Sequence, residues 1–299
     1  MSRALRRTLL RAPLLIWLLT AFGGQAQAAG RVECSAVKSA ILARPVRYCA
    51  LLPPSYESDP RRQFPVLYHL HGLGDNEQSL INFGGWSLLE DLQAKKKIGE
   101  FIVIAPAGST TFYINSRDRK MRYEDFFLRE FLPAVERKYR VKPGRAARAI
   151  GGVSMGGYGA LRFAFKHPEM FTSVAVHSAA LMSRLPEGLT SASGVGGLRI
   201  NVLGPAFGQP VDQKYFEQNN VFTFARQSGA RLRRLKIYLD CGTSDDFGFY
   251  EGARELHELL EKLKVPHEFH LYPGGHNWQY VAEHLDESFE FQSRALGAK

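Results

Sequence analysis

The stretch "AIGGVSMGGYGALRFAF", residues 149–165, decides the fold because it reads as a strand, a sharp turn and a helix in direct succession. Ser154 lies at the turn, in the pattern glycine, any residue, serine, any residue, glycine. Chance alone supplies about 0.2 matches to this pattern in a chain of this composition, so the surrounding residues matter more. A turn this sharp needs tiny neighbours, which Gly152, Gly156 and Gly157 provide. We therefore predict that Ser154 is a nucleophile rather than a small residue in a glycine-rich turn.

A serine hydroxyl is a poor nucleophile, so a histidine must accept its proton and a carboxylate must orient that histidine. In a fold with this turn the chain order is serine, acid, histidine, with the last two on loops after later strands. Of nine histidines, His276 fits best, because it follows the last predicted strand on the loop "YPGGHNWQYV". The acid loop "LDCGTSDDFGFY" offers three aspartates: Asp240 should still lie within or at the edge of the strand, and spacing alone does not separate Asp245 from Asp246. Either aspartate is alternatively a cap of the following helix.

The oxyanion of a tetrahedral intermediate needs two hydrogen-bond donors. One is predicted to be the backbone N–H of Met155, which follows the nucleophile at the start of a helix. The other is predicted to be the N–H of Leu73, on the turn "YHLHGLGDNEQ", where His71 and Gly72 turn the backbone toward the site. A glycine-rich turn without a catalytic role is the alternative for this segment.

The wider sequence alternates apolar strands with amphipathic helices. Strands are predicted at residues 46–52, 65–72, 101–106, 148–154, 173–178, 235–242 and 267–273, and helices after Ser154 and over 123–140 and 251–264. Strands that are nearly all apolar are typical of a parallel sheet covered on both faces. The predicted fold is α/β, with a mostly parallel central sheet and helices on both faces, in a single domain over residues 29–299. A lid-like insertion is predicted at about 181–231, with one helix around 212–226.

The first 28 residues have the layout of a secretory signal peptide. Four arginines precede an apolar run over residues 12–22, and small residues follow it. Cleavage is predicted between Ala28 and Ala29, which places the mature protein in the periplasm or the extracellular space. An uncleaved anchor is the alternative, but the 11 residues of this run are too few for a bilayer that needs about 20.

Composition and cysteine spacing exclude several other classes. Without the four leader arginines the formal net charge falls from +10 to +6, because no acidic residue precedes Glu33. The basic residues are scattered among acidic ones, so no nucleic-acid partner is predicted. Cys34, Cys49 and Cys241 lack the paired spacing of a zinc site, and no metal or organic cofactor is predicted. In an exported protein, Cys34 and Cys49 flank a predicted N-terminal hairpin and are predicted to form a disulfide; two free thiols are the alternative.

The chain resembles the "Putative esterase" family of the α/β-hydrolase superfamily, which includes esterase D (S-formylglutathione hydrolase), bacterial feruloyl esterases and mycolyltransferases. The resemblance is carried by "RPVRYCALLPPSY", "HLHGLGDNE", "YEDFFLREFLPAVERKYR", "GVSMGGYGALRFAFKHPEMF", "CGTSDDF" and "PGGHNWQY". It implies an α/β-hydrolase fold, with the nucleophile at Ser154, the base at His276, and oxyanion donors at Leu73 and Met155. It also implies that the acid is Asp245, the third residue after the glycine of the "CGT" segment.

Five residues near these motifs are candidate walls of an acyl or sugar pocket: Trp86, Phe112, Tyr113, Asn115 and Trp278. Burial in the core is the alternative for each.

We expect an exported serine esterase that acts on acetyl, feruloyl or similar esters of carbohydrates or on related small esters. Export argues against the S-formylglutathione hydrolase role, which resembles a cytosolic task. An acyltransferase with the same triad is one alternative. A non-catalytic glycan-binding protein with this fold is another, although such a protein has no need of a complete triad. No membrane span is expected in the mature protein.

Overall fold

The computed structural model of the protein describes residues 29–185 and 197–298. The strands are β1 (Arg31–Ser39), β2 (Arg44–Leu52), β3 (Val66–Leu70), β4 (Ile102–Pro106), β5 (Arg148–Val153), β6 (Ser173–His177), β7 (Lys236–Gly242) and β8 (Glu268–Tyr272). The helices are α1 (Ser55–Ser58), α2 (Ser79–Asn82), α3 (Gly85–Ala94), α4 (Tyr123–Phe126), α5 (Leu132–Lys138), α6 (Met155–Lys166), α7 (Gly197–Phe207), α8 (Gln213–Asn219), α9 (Val221–Leu232), α10 (Phe249–Lys262) and α11 (Trp278–Leu296). The predicted signal peptide, residues 1–28, lies outside the described residues.

All eight strands belong to one sheet, in the order β1-β2-β4-β3-β5-β6-β7-β8. The strands from β3 to β8 run parallel, whereas β1 and β2 form an antiparallel hairpin and β2 pairs antiparallel with β4. Each predicted strand is confirmed, and β1 completes the predicted hairpin. β3, β4 and β6 are buried at every position, which fits strands covered on both faces.

Helices cover both faces of this sheet. On one face α5, α6, α9 and α10 contribute apolar side chains to the largest core cluster. On the other face α3 and α11 enclose a smaller cluster around Leu89, Leu92 and Phe289. The helix predicted over 123–140 is present as α4, a π-helical turn (Phe127–Phe131) and α5 in succession. Of the helices in the described ranges, none is long and apolar enough to cross a membrane.

The insertion predicted at about 181–231 contains α7, α8 and α9 within its described part. The prediction of one helix around 212–226 is wrong, because Asn220 separates α8 from α9. Its backbone is extended (φ −73°, ψ 135°), and its side-chain oxygen accepts a hydrogen bond from the N–H of Phe222 at 3.0 Å. Asparagine side chains favour such caps over helix interiors, so the chain turns here although the apolar pattern continues.

Cys34 and Cys49 face each other across the β1–β2 hairpin and are joined by a disulfide. Replacing both cysteines by alanine is expected to lower the free energy of unfolding by about 2–3 kcal/mol, because the unfolded chain loses a covalent restraint. Urea denaturation of the double variant and of oxidised wild type measures the difference. Wild type in a thiol reductant should lose a similar amount. Equal denaturation midpoints for the double variant and oxidised wild type would rule out a stabilising bridge.

Candidate active site

Ser154 occupies a strained turn between β5 and α6. Its φ is 54° and its ψ −116°, a conformation that costs energy for any residue other than glycine. Neighbouring backbone holds it there. The N–H of Ser154 donates to the carbonyl of His177 at 3.0 Å, and its carbonyl accepts from the N–H of Tyr158 at 2.9 Å and of Ala180 at 3.0 Å. The serine side chain is therefore presented in one fixed direction at the end of the central strand.

The glycines around Ser154 are required by the closeness of strand β3. A Cβ atom at Gly156 would lie 2.0 Å from the carbonyl oxygen of Leu70, and one at Gly152 would lie 2.5 Å from the same oxygen. Backbone oxygens in a sheet cannot move aside as the end of a side chain can. Only glycine at both positions allows α6 to begin directly behind the serine.

Three loops at the carboxyl ends of parallel strands bring Ser154, His276 and Asp245 together. Nε2 of His276 lies 2.9 Å from Oγ of Ser154, and Nδ1 of His276 lies 2.6 Å from Oδ2 of Asp245. The carboxylate accepts a hydrogen bond from Nδ1–H, which keeps the ring proton on Nδ1 and leaves Nε2 free to accept the proton of the serine hydroxyl. The residues are distant in sequence but form one continuous hydrogen-bonded chain.

The two adjacent aspartates occupy different environments. Asp245 is only 5% exposed, and its Oδ1 accepts hydrogen bonds from the N–H groups of Phe247 (2.9 Å) and Phe249 (3.4 Å). Burial by itself would raise the pKa of Asp245, but His276 and these N–H groups outweigh burial and hold the pKa below its usual value. Asp246 is exposed and lines the neighbouring cleft. The geometry thus places Asp245, and not Asp246, against His276.

The two predicted oxyanion donors flank Ser154. Met155 is the first residue of α6, so its N–H belongs to the donors that have no partner within the helix. On the other side lies the turn after β3: a Cβ atom at Gly72 would be 3.6 Å from Cβ of Ser154. The backbone that leads into Leu73 is therefore beside Ser154.

The side chain of His71 clamps this turn. The N–H of Gly108 donates to Nε2 of His71 at 2.7 Å, so the ring proton is on Nδ1, which donates to the carbonyl of Gly72 at 2.7 Å. That carbonyl and the N–H of Leu73 belong to the same planar peptide and point in opposite directions. Burial lowers the pKa of His71 and so keeps the ring neutral, as it must be for Nε2 to accept and Nδ1 to donate a hydrogen bond. His71 therefore fixes the direction of the Leu73 N–H.

Replacing His71 by alanine is expected to lower kcat for ester substrates about 100-fold with little change in KM, because it would misdirect the N–H of Leu73, the predicted oxyanion donor, and so weaken transition-state binding. Steady-state kinetics and the inhibition constant of a trifluoromethyl ketone, which mimics the tetrahedral intermediate, measure this loss. Tyr113→Phe is the control, since it removes a hydrogen bond to the carbonyl of His71 (2.9 Å) but leaves the Gly72 clamp in place. If the alanine variant bound the ketone as tightly as wild type, His71 would have no role in orienting Leu73.

Two cavities meet at Ser154 and His276. The larger is a cleft of about 830 Å³, and its lining includes the apolar side chains of Phe112, Leu181, Met182, Val202, Leu203 and Phe249 and the charged side chains of Arg184, Asp246, Glu251 and Glu255. The smaller has about 200 Å³, and its lining includes the polar side chains of Asp75, Ser178 and Asn277 and the apolar side chains of Val153, Trp278 and Val281. The candidate nucleophile thus lies between a large cleft and a small cavity, each with a mixed lining.

The five candidate wall residues divide between these cavities and the core. Phe112 lines the large cleft, and Trp278 lines the small cavity. Tyr113 is buried and hydrogen-bonds the turn after β3, and Asn115 is buried with its side-chain oxygen bound to a backbone N–H. Trp86 packs against the apolar cluster of α3 and α11. The last three residues therefore support the fold instead of lining either cavity.

A second acid–histidine pair lies beneath the site, and no spacing in the sequence indicates it. Nδ1 of His177 lies 2.7 Å from Oδ2 of Asp240, and both side chains are buried. Nε2 of His177 lies 2.8 Å from Oγ of Ser288, so this histidine is turned away from Ser154. His177 also follows the serine before any acid loop, so the chain order of serine, acid and histidine disfavours it as the base. Within residues 29–185 and 197–298, no group of three or more His, Cys, Asp or Glu side chains is arranged to hold a metal.

Comparison with known proteins gives the family. The family model described as "Putative esterase" matches residues 39–291. A Mycobacterium tuberculosis protein named an esterase is 32% identical over 249 residues, which cover 76% of this chain and 51% of that protein. An acetyl esterase of Caldicellulosiruptor saccharolyticus is 25% identical over 237 residues, which cover 77% of this chain and 83% of that protein. The chain thus spans about half the length of the mycobacterial relative.

Solved structures agree with this match. A ferulic acid esterase superimposes with a TM-score of 0.77 at 28% identity, covering 89% of this chain and 98% of that one. An S-formylglutathione hydrolase from Agrobacterium tumefaciens shares the fold, with a TM-score of 0.70 at 17% identity. The match covers 90% of this chain and 96% of that one. Because the family model covers most of the sequence and the sheet has the same architecture, the chain belongs to the "Putative esterase" family and has its α/β-hydrolase fold.

Proposed function

We propose that the protein hydrolyses carboxylic esters through an acyl-enzyme formed on Ser154. The observation that carries the proposal is the hydrogen-bonded chain from Ser154 through His276 to the buried carboxylate of Asp245. Family membership supports ester chemistry, and the similarity to proteins named acetyl esterase and ferulic acid esterase supports acyl groups of that range. A carbohydrate or a related small alcohol is the proposed other half of the ester.

In the acylation half-reaction Oγ of Ser154 attacks the ester carbonyl while Nε2 of His276 accepts the hydroxyl proton. The carbonyl oxygen becomes an oxyanion and receives hydrogen bonds from the N–H groups of Met155 and Leu73. The C–O bond to the alcohol then breaks, and His276 returns the proton to the departing oxygen. Asp245 stabilises the imidazolium between these two proton transfers.

In the second half-reaction a water molecule takes the place of the alcohol beside His276. His276 accepts a proton from this water, whose oxygen attacks the acyl carbonyl. Collapse of the second tetrahedral intermediate breaks the bond to Oγ of Ser154 and returns the proton to it. The free acid leaves, and the resting hydrogen-bonded chain is restored.

A fluorophosphonate probe tests this proposal directly, because such probes phosphonylate only an activated serine. The folded protein should be labelled at one site, and peptide mapping should locate the label at Ser154. Heat-denatured protein is the control and should remain unlabelled, since heating separates His276 from the serine. Absence of label from folded protein that also fails to hydrolyse p-nitrophenyl butyrate would overturn the proposal, and it would favour a non-catalytic binding protein.

The apolar side chains of the large cleft predict a preference for acyl groups longer than acetyl. Each buried methylene group is worth about 0.8 kcal/mol, so kcat/KM for p-nitrophenyl butyrate should exceed that for the acetate by roughly 3- to 15-fold. Val202→Phe, which fills part of the cleft, should reduce this ratio, whereas Val202→Ala is the matched variant that adds space. A ratio that is indifferent to Val202 would mean that acyl groups bind elsewhere.

Transfer of the acyl group to a sugar is the alternative outcome of the same acyl-enzyme. The small cavity beside His276 supplies a place where an acceptor alcohol would replace water. Product analysis with and without a sugar acceptor separates the two reactions. Acylated sugar in excess of free acid would assign the protein as an acyltransferase.

We also propose that the protein is exported with cleavage after Ala28. Support comes from the arginine-rich, apolar leader and from the Cys34–Cys49 disulfide, a bond typical of oxidising compartments. N-terminal sequencing of protein recovered from outside the cytoplasm of an expressing cell should begin at Ala29.

A further inference from the structure

Three buried polar side chains beneath the triad form a network that the hydrolytic steps leave unused. The ring of His177 contacts the carboxylate of Asp240, which accepts a hydrogen bond from the hydroxyl group of Tyr280. We propose that this positioning network, the side chains of His177, Asp240 and Tyr280, holds Nε2 of His276 within hydrogen-bond reach of Oγ of Ser154. The inference rests on the proposed esterase function and adds residues that act on that function through the triad.

One end of the positioning network lies beside the backbone of Ser154. His177 and Asp240 are paired residues of the neighbouring parallel strands β6 and β7. The carbonyl of His177 accepts the N–H of Ser154 at 3.0 Å. Nδ1 of the same residue lies 2.7 Å from Oδ2 of Asp240, and both side chains are at most 2% exposed. His177 therefore links the strained turn at Ser154 to β7, the strand that leads to Asp245.

The hydrogen bonds around His177 require a proton between its ring and Asp240. The hydroxyl group of Ser288 donates to the carbonyl of Leu285 at 2.9 Å, so it accepts from Nε2 of His177, 2.8 Å away. Without a further proton, the lone pair of Nδ1 would face the carboxylate oxygen. The contact is short but not aligned as a hydrogen bond, and neither atom has another partner among the described residues. Removing either side chain would leave the other buried and unpaired, which is costly.

The other end of the positioning network lies against the loop that carries His276. The hydroxyl group of Tyr280 donates to Oδ1 of Asp240 at 2.8 Å. Burial and the neighbouring carboxylate of Asp240 raise the pKa of Tyr280, so its hydroxyl group keeps the proton that it donates. The Tyr280 ring packs on Gly274, where a Cβ atom would be 2.6 Å from Cδ2 of that ring. Because Gly274 comes two residues before His276, the position of the ring limits where the His276 loop can lie.

The contact between Ser154 and His276 depends on both ends of the network. The two residues lie on different loops, and Oγ and Nε2 are 2.9 Å apart. A misplacement of about 1 Å costs as much as 100-fold in rate, because proton transfer needs the two atoms within hydrogen-bond reach. Asp245 sets the rotation of the His276 ring through Nδ1. The positioning network sets the separation of the two loops, which Asp245 alone does not fix.

Tyr280→Phe tests the proposal with the smallest change, because it removes one hydroxyl group and keeps the ring. The freed ring allows the His276 loop to shift, and a shift of about 0.5 Å should lower kcat for p-nitrophenyl butyrate about tenfold, with KM within about twofold of wild type. The rate constant of fluorophosphonate labelling should fall by the same factor, since labelling needs the same activated serine. Tyr272→Phe is the matched control: it removes a hydroxyl group that donates to Glu287 at 2.7 Å, outside the network, and should leave both rates unchanged.

Variants of Asp240 test whether the three side chains act as one network. Asp240→Ala should lower kcat about 10- to 100-fold, and Asp240→Asn, which keeps an acceptor oxygen for Tyr280, should lose less. Because Tyr280 acts through Asp240, adding Tyr280→Phe to Asp240→Ala should lower kcat by no more than about twofold further. If Asp240→Ala fails to fold, the comparison of Tyr280→Phe with Tyr272→Phe decides the question by itself.

A network that only stabilises the fold would give a different result. Tyr280→Phe would then unfold at a lower temperature, but the folded variant would be labelled at the wild-type rate and keep its kcat. That outcome would overturn the proposal, as would a change confined to KM, an equal fall in Tyr272→Phe, or additive losses in the double variant. Wild type that is neither labelled nor able to hydrolyse p-nitrophenyl butyrate would instead overturn the esterase function, and the positioning role with it.

Discussion

Replacing Ser154 by alanine is expected to lower kcat by about 10⁵- to 10⁶-fold, because it removes the proposed nucleophile from a triad whose members act as a unit. Catalysis should not fall to zero, because the oxyanion donors and the cavities remain in place. A residual acceleration of about 10³- to 10⁴-fold over the uncatalysed reaction is expected from these groups alone. Measurements with p-nitrophenyl butyrate at high enzyme concentration can detect this residual activity.

The same argument predicts that removing a second side chain of the triad lowers kcat almost no further. His276→Ala alone should be about as damaging as Ser154→Ala, since Oγ has no other proton acceptor within the hydrogen-bonded chain. The double variant should then match either single variant within a few-fold. Additive losses would show that the two side chains act independently, which would contradict the proposed mechanism. Thermal unfolding of each variant checks that the fold is intact.

The sharp turn at Ser154 and the chain order of Ser154, Asp245 and His276 were predictable from sequence because each depends on local chemistry. Glycine is required wherever a Cβ atom would lie within 3 Å of neighbouring backbone. Loops that follow parallel strands meet at one edge of the sheet. The break at Asn220 was missed because a side-chain cap there overrides a continuing apolar pattern. The network of His177, Asp240 and Tyr280 was also missed, since it has no spacing signal. Its members lie on segments that are distant in the chain.

The choice between the two adjacent aspartates could not be made from sequence spacing. Spacing allowed both, and only the family resemblance favoured Asp245. The structure supplies a physical reason: two backbone N–H groups hold Oδ1 of Asp245, and this fixes Oδ2 toward His276. Asp246 is exposed to solvent. This difference in surroundings leads to the second large prediction.

Replacing Asp245 by asparagine is expected to lower kcat about 10⁴-fold, although the two side chains have nearly the same shape. The N–H groups of Phe247 and Phe249 retain an oxygen of the new amide, so its NH₂ group takes the position of Oδ2. That group donates to Nδ1 of His276 and forces the ring proton onto Nε2. A protonated Nε2 cannot accept the hydroxyl proton of Ser154, so the nucleophile is not activated.

Asp246→Asn is the matched control, because it makes the same chemical change one residue away at an exposed position. Its kcat should stay within about tenfold of wild type, since no ring depends on its orientation. Nitrogen NMR of the His276 ring distinguishes a catalytic role of Asp245 from a structural one: the proton should move from Nδ1 to Nε2 in Asp245→Asn and stay on Nδ1 in Asp246→Asn. If Asp246→Asn lost more activity, the acid of the triad would be Asp246, and the 2.6 Å contact of Asp245 with His276 would be structural.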